Sequence, residues 1–320
     1  MGYGSYSEVA HRAITSARAN APAKTVFQRN DCDPKMNPHG VRYRECRDSE
    51  GHPHSIGIVF ALDVSGSMGE IPHQLATKTL PTFVAGVRTM LASPQILFMA
   101  FGNAFADRSP LQVGQFESEA ALIDRWLAAT HLEGGGGELG ESYDLAMYFA
   151  ARHTAMDCWE KRKKKGYLFI TGDETPWVVM RAEKVAALIG DSLQVDVPIG
   201  DVVCEAQEKF HTFFLIPDEK RAATEKCGDV WDALLHERCI VLETPEDTAA
   251  IAALCIGIEE GVLKDVAALA AKIETGLHAT AAVRDRLLRT IGEYATARWA
   301  GPIAEPGVLY ARTDMPHVRG

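Results

Sequence analysis

Ile56-Gly57-Ile58-Val59-Phe60-Ala61-Leu62-Asp63-Val64-Ser65-Gly66-Ser67-Met68-Gly69 sets both the fold class and the candidate chemistry of this chain. Its first seven residues form an unbroken apolar run of strand length. Such a run suits a strand buried on both faces of a parallel sheet. Directly after it, Asp63, Ser65 and Ser67 alternate by two, so an extended turn can aim three oxygen-bearing side chains at one point. Gly66 and Gly69 permit the tight backbone path. In open α/β sheets, ligands bind beyond the carboxyl ends of the strands, near the switch point of strand order. One carboxylate and two hydroxyls are hard oxygen donors. They suit Mg²⁺, with Mn²⁺ or Ca²⁺ as alternatives, and they do not suit zinc.

Working outward, the same alternation of elements continues. A helical pattern over 72–91 carries Leu75, Leu80, Phe83, Val84 and Val87 on one face, with Pro81 as a kink or break. Strands are expected at 95–101, 167–171, 213–216 and 239–242, with a short edge strand at 111–116. Helices are expected at 119–131, 141–153 and 181–190. This order implies a doubly wound, mostly parallel sheet with helices on both faces and right-handed crossovers. The pattern divides the chain into a polar N-terminal extension (1–50, with a short helix near 6–18), an α/β domain (51–245), a helical C-terminal extension (246–300) and a tail (301–320). Thr244 and Pro245 read as the N-cap and first position of a helix. Two further helices are expected at 261–276 and 279–298.

Composition narrows the function classes. The chain has 320 residues, 47% of them hydrophobic, enough to bury a large core without covalent staples. A formal net charge of −10 argues against general affinity for nucleic acid, which needs a basic footprint. Seven widely spaced cysteines include no Cys-x-x-Cys pair, so neither a zinc site nor a redox motif is suggested. Free thiols, the lack of an apolar signal core and the lack of a spanning run lead us to expect a cytoplasmic protein without a membrane partner.

At this point the chain resembles the von Willebrand factor A family. Asp63-x-Ser65-x-Ser67, with its preceding strand and following helix, is similar to that family's metal-ion-dependent adhesion site. The resemblance implies that the two serines bind the metal directly and that carboxylates hold it directly or through water. It draws further ligands from two later loops. The first spans 132–142, where the family's usual Thr lies about five residues before a helical Ala. Counting back from Ala146 gives Glu141, so this chain departs from the common pattern and looks like members with a glycine run followed by two acidic residues. Glu141 is the first choice of ligand there, Glu138 the second, and Ser142 a hydroxyl substitute. The second loop is Thr171-Gly172-Asp173-Glu174-Thr175-Pro176, in which Asp173 would be the distal carboxylate and Glu174 would face solvent. Arg44-Glu45-x-Arg47-Asp48-Ser49, Glu141-Ser142-Tyr143 and Lys165-Gly166-Tyr167 further resemble a bacterial subgroup of unknown function. The resemblance covers about residues 40–245.

Electrostatics favours one shared cation. Two carboxylates about 4 Å apart repel by roughly 4 kcal/mol at an effective dielectric near 20, and a divalent ion removes that conflict. The resemblance implies a binding module or adaptor in which the metal keeps one position open for an acidic residue of a protein partner. The alternative is a metal-dependent phosphoester hydrolase, which lacks a convincing general base beside the motif. A metal that only stabilises the fold is a third reading. The five cations at 161–165 read as a solvated turn, and His52 and His54 as structural.

Overall fold

The computed structural model describes residues 29–75, 80–132, 140–277 and 279–301, with single positions 7, 9, 13, 16 and 27 before them. The strands in chain order are β1 (Arg44–Cys46), β2 (Ile56–Asp63), β3 (Pro94–Phe101), β4 (Leu111–Val113), β5 (Thr154–Met156), β6 (Gly166–Thr171), β7 (Val179–Met180), β8 (Val197–Pro198), β9 (Phe210–Ile216) and β10 (Cys239–Val241). A six-stranded sheet has the order β10-β9-β6-β2-β3-β4. All its pairings are parallel except β3 with the edge strand β4. The apolar runs produce this arrangement, since every residue of β2, β3 and β6 is buried. From β2 the chain moves to β3 on one side, and from β6 it moves to β9 on the other. The switch point of strand order therefore lies between the carboxyl ends of β2 and β6.

Helices cover both faces: α1 (Ile71–Gln74), α2 (Leu80–Arg88), α3 (Ala120–Ala128), α4 (Tyr143–Arg152), α5 (Asp157–Arg162), α6 (Ala182–Leu188), α7 (Ile199–Lys209), α8 (Glu219–Ala223), α9 (Cys227–Leu235), α10 (Thr248–Glu259), α11 (Val266–Gly276) and α12 (Ala281–Ala300). Neighbouring phenylalanines of β9 show the two layers. Phe213 meets Tyr294 of α12 at 5.3 Å between ring centroids, while Phe214 stacks on Trp231 of α9 at 3.8 Å. On the first face Phe60, Phe169 and Phe83 join Phe213; on the second, Phe101 and Tyr143 join Phe214. Each such buried side chain is worth roughly 1.5–3 kcal/mol relative to exposure.

Several sequence expectations shift in position. The helix over 72–91 divides into α1 and α2, with 76–79 outside the described residues. Pro245 opens a single 3₁₀ turn, and the α-helix proper begins at Thr248; Thr244 makes no capping bond, its hydroxyl donating to the Glu246 carboxylate instead. The helix expected from 261 starts at Val266, where Asp265 accepts from the Ala268 amide at 2.8 Å. Nor does the core stop at 245: the residues of α10 from Thr248 to Ile258 are all buried, and the apolar side chains from Ala249 to Ile258 belong to the same cluster as the sheet. Of the expected helix near 6–18 only single positions are described, and residues 302–320 lie outside the described set.

The segment before residue 50 is stitched to the domain. β1 pairs in parallel with β5, and buried Arg44 donates to the carbonyls of Lys35 and Val113. Arg47 binds Asp157 and Glu160, and Arg162 binds Asp48. The cation run is absorbed locally: Lys161 pairs with Asp157, Lys164 with Glu260, and Lys165 donates to the Gln207 carbonyl. Among the described residues, no helix is long and apolar enough to cross a membrane.

Candidate functional site

Asp63 is the last residue of β2 and is fully buried. Its position follows from the strand, whose register with β3 continues through Asp63 opposite Phe101. One carboxylate oxygen accepts from the Ser65 amide at 2.9 Å, the other from the Tyr143 hydroxyl at 3.1 Å. The turn then closes through Gly69 at φ +54°, a left-handed conformation that glycine adopts without strain. The hydroxyls of Ser65 and Ser67 lie 2.9 Å apart, and Ser67 Oγ donates to Asp173 Oδ1 at 2.8 Å. Asp173 follows β6 by two residues, so the two strands at the switch point each deliver a carboxylate to one hydrogen-bonded chain. These bonds bring Asp63, Ser65, Ser67 and Asp173 together. Ser65 and Asp173 are buried while Ser67 is exposed, which leaves the chain open to solvent at Ser67.

The 132–142 loop is less uniform. Glu138 lies outside the described residues. Glu141 is buried, bridges to Pro176 through its backbone, and makes no hydrogen bond to the Asp63 chain. Its Oε2 has no hydrogen-bond partner among the described residues. Burial, followed by the charges of Asp63, Glu174, Asp107 and Asp173, pushes the Glu141 carboxyl up to about 9. Ser142 does not join the site, because its hydroxyl accepts from the Ala104 amide at 2.9 Å. Glu174 is not simply solvent-facing: half-buried, it accepts from the Gly140 amide at 2.8 Å and so pins the end of that loop. Burial also raises the Asp63 carboxyl to about 7, with the Asp173 charge adding to the effect.

Two residues of the site carried no recognised functional signal in the sequence. Tyr143, on α4, donates to Asp63 and accepts from the Glu174 amide at 3.2 Å, tying the two strand-end loops together. A Cβ on Gly172 would sit 2.3 Å from the Tyr143 hydroxyl, so this contact requires glycine there. Arg221, on α8, donates to Asp173 Oδ2 at 2.9 Å and to the Ser67 carbonyl at 3.1 Å. Tyr143 stands in a stretch quoted above only for its resemblance. Arg221 is 154 positions from Ser67 and follows no motif.

The donor set fits a hard divalent cation: two aspartates, two hydroxyls, and a nearby buried carboxylate oxygen with no donor among the described residues. Carboxylates alone do not make the site. Among the described residues no group of three or more His, Cys, Asp or Glu side chains is gathered as a metal cluster, so a cation here would depend on the serine hydroxyls.

No family model matches the chain, and no curated protein matches it. Similar solved structures include the pilus adhesin SpaC from Lactobacillus rhamnosus GG in its open conformation (TM-score 0.46, 12% identity, covering 67% of this chain and 31% of that one). A second form of SpaC gives a TM-score of 0.43 at 12% identity, covering 67% and 32%. Proximal thread matrix protein 1 from the mussel byssus gives 0.42 at 9% identity, covering 67% and 48%. The alignments thus span less than half of each of these chains.

Proposed function

We propose that this chain is a von Willebrand factor A-like protein that binds one divalent cation at Asp63, Ser65, Ser67 and Asp173. Mg²⁺ is the first choice, with Mn²⁺ or Ca²⁺ as alternatives. Through that cation the chain captures an acidic residue of a protein partner, as an adaptor rather than an enzyme. The observation that carries this reading is the cluster at the switch point in which Asp63 accepts from the Ser65 amide and the Ser65 hydroxyl, Ser67 hydroxyl and Asp173 carboxylate follow one another by hydrogen bonds, open to solvent at Ser67. Glu141 stands beside it as a buried carboxylate in search of positive charge. A cytoplasmic location is part of the proposal and accords with seven free thiols, four of them buried.

Calorimetric titration of Mg²⁺ and Mn²⁺ tests the first half. Ser65→Ala/Ser67→Ala should weaken cation binding by about a hundredfold or more, and equal affinity in both proteins would sink the site. Partner recovery from a lysate, with and without EDTA, tests the second half. Asp63→Ala with native circular dichroism should lose the EDTA-sensitive partner. Unchanged recovery refutes capture through the metal.

A further inference from the structure

Building on that metal-site reading, we propose that Arg221 is an internal counter-cation that competes with the divalent ion, so that loading the site displaces its guanidinium. Arg221 reaches the site from α8, beyond the carboxyl end of β9. Its Nε donates to Asp173 Oδ2 at 2.9 Å and its Nη2 to the Ser67 carbonyl at 3.1 Å. The other oxygen of Asp173 accepts from Ser67 Oγ at 2.8 Å. Both oxygens of Asp173 are therefore engaged, and Ser67 is held at its hydroxyl and its carbonyl by one network. The neighbourhood gathers the carboxyls of Asp63, Glu141 and Glu174, each raised first by burial and further by the Asp173 charge, and Arg221 pairs with Asp173 itself.

A divalent ion sharing Asp173 with a guanidinium faces like charge within a few ångströms, and the carboxylate it needs is already polarised toward Arg221. Displacement is structurally cheap. None of the residues of α8 is buried, and the Arg221 side chain is 29% exposed. Asp218 offers a second acceptor: its Oδ1 accepts from the Arg221 amide at 2.9 Å and its Oδ2 from Nη1. A guanidinium released from Asp173 keeps this partner. α8 then reports the occupancy of a site formed by β2 and β6.

The test is a titration of MnCl₂ into chelator-treated full-length chain, comparing wild type, Arg221→Gln, Arg221→Lys and Ser65→Ala/Ser67→Ala. Arg221→Gln should bind Mn²⁺ at least about tenfold more tightly than wild type. Arg221→Lys should fall between them, because it keeps the charge and loses the forked geometry. Equal or weaker binding by Arg221→Gln, with wild type binding, overturns the proposal and leaves the metal site standing. No Mn²⁺ binding by either protein overturns both. The unmodified chain gives a second readout that needs no folded variant: the Arg221 Nε–H resonance should shift on saturation with Mg²⁺. An unchanged resonance in a chain that binds Mg²⁺ also overturns it.

Discussion

Two glutamates with buried side chains, one on each face of the sheet, differ in how their charge is met. Glu259 ends α10, where a negative charge opposes the helix dipole, and its side chain is 2% exposed. It accepts from Arg298 Nε at 2.9 Å, Tyr294 at 2.9 Å and Arg238 Nη2 at 3.2 Å, with His211 Nδ1 at 3.6 Å. Burial pushes its carboxyl up, but His211, Arg298, Arg238 and Tyr294 outweigh burial and hold it below the ordinary value. Glu141 is also buried, but among carboxylates, with one oxygen lacking any donor in the described residues. A carboxylate kept for the fold comes with its counter-charges built in. Glu141 is left without them, as the proposed cation site requires.

The comparison breaks most visibly at Glu259. Glu259→Gln leaves Arg238 and Arg298 facing a neutral amide inside the protein. Losing one partner of such a buried cluster should destabilise the fold by about 3–5 kcal/mol, measured by urea denaturation at pH 7. A loss under about 1 kcal/mol would mean that the cluster is solvated and that the contrast with Glu141 is empty.

Glu141→Gln should act in the opposite direction. In EDTA at pH 7, a carboxyl displaced from 4.5 to about 9 by folding carries a standing penalty. The penalty is absent below the unfolded value and grows as pH rises toward the folded one. Removing the ionisable group should stabilise the chain by about 2 kcal/mol, less than the full shift implies because the amide inherits the burial cost. Saturating Mg²⁺ should abolish or reverse that gain, since the cation then pairs with Glu141 in the wild type alone. A variant less stable than wild type in EDTA would show that Glu141 has a donor in the folded chain.

Much of this was legible in the sequence, for a specific reason. The apolar runs that became β2, β3 and β6 are buried on both faces, so hydrophobicity alone locates them, and a polar motif at the end of such a run is already at the sheet's carboxyl edge. Asp63, Ser65, Ser67 and Asp173 are all local to strand ends and came together. Glu141 could be placed in its loop, but its isolation from the Asp63 hydrogen-bond chain depends on how Gly102, Asp107 and Pro176 pack around it. Arg221, Tyr143 and the Glu259 cluster are long-range pairings with no local pattern. The helices α7, α8 and α9 went unassigned. α7 is amphipathic and mildly polar, and α8 is a five-residue turn of helix with no buried residue, held by the Asp218 cap, by Ala222 against the core and by the site it touches.

A third carboxylate sharpens the rule with the smallest effect of the series. Asp157 opens α5, where the helix dipole favours negative charge. Burial raises its carboxyl, but Lys161 Nζ at 2.6 Å, the Asp48 amide at 2.9 Å and Arg47 Nη1 at 2.9 Å outweigh burial and hold it at about 2. It therefore belongs with Glu259, although it lies in the clasp between the N-terminal segment and α5. The folded value lies below the unfolded 3.8, so the stabilisation is complete above pH 4 and disappears as pH falls through 4 toward 2. Solvent screening at the exposed Lys161 and half-buried Arg47 side chains holds the contribution to about 1 kcal/mol. Asp157→Asn should cost that amount at pH 7 and almost nothing at pH 2, so the two stability curves converge on the acid side. Subtracting them isolates Asp157 from the other carboxylates that titrate in the same range. Parallel curves from pH 7 to pH 2 would show that the Arg47 and Lys161 contacts do not hold Asp157 in solution. The rule drawn from Glu259 and Glu141 would then extend only to carboxylates without an exposed partner.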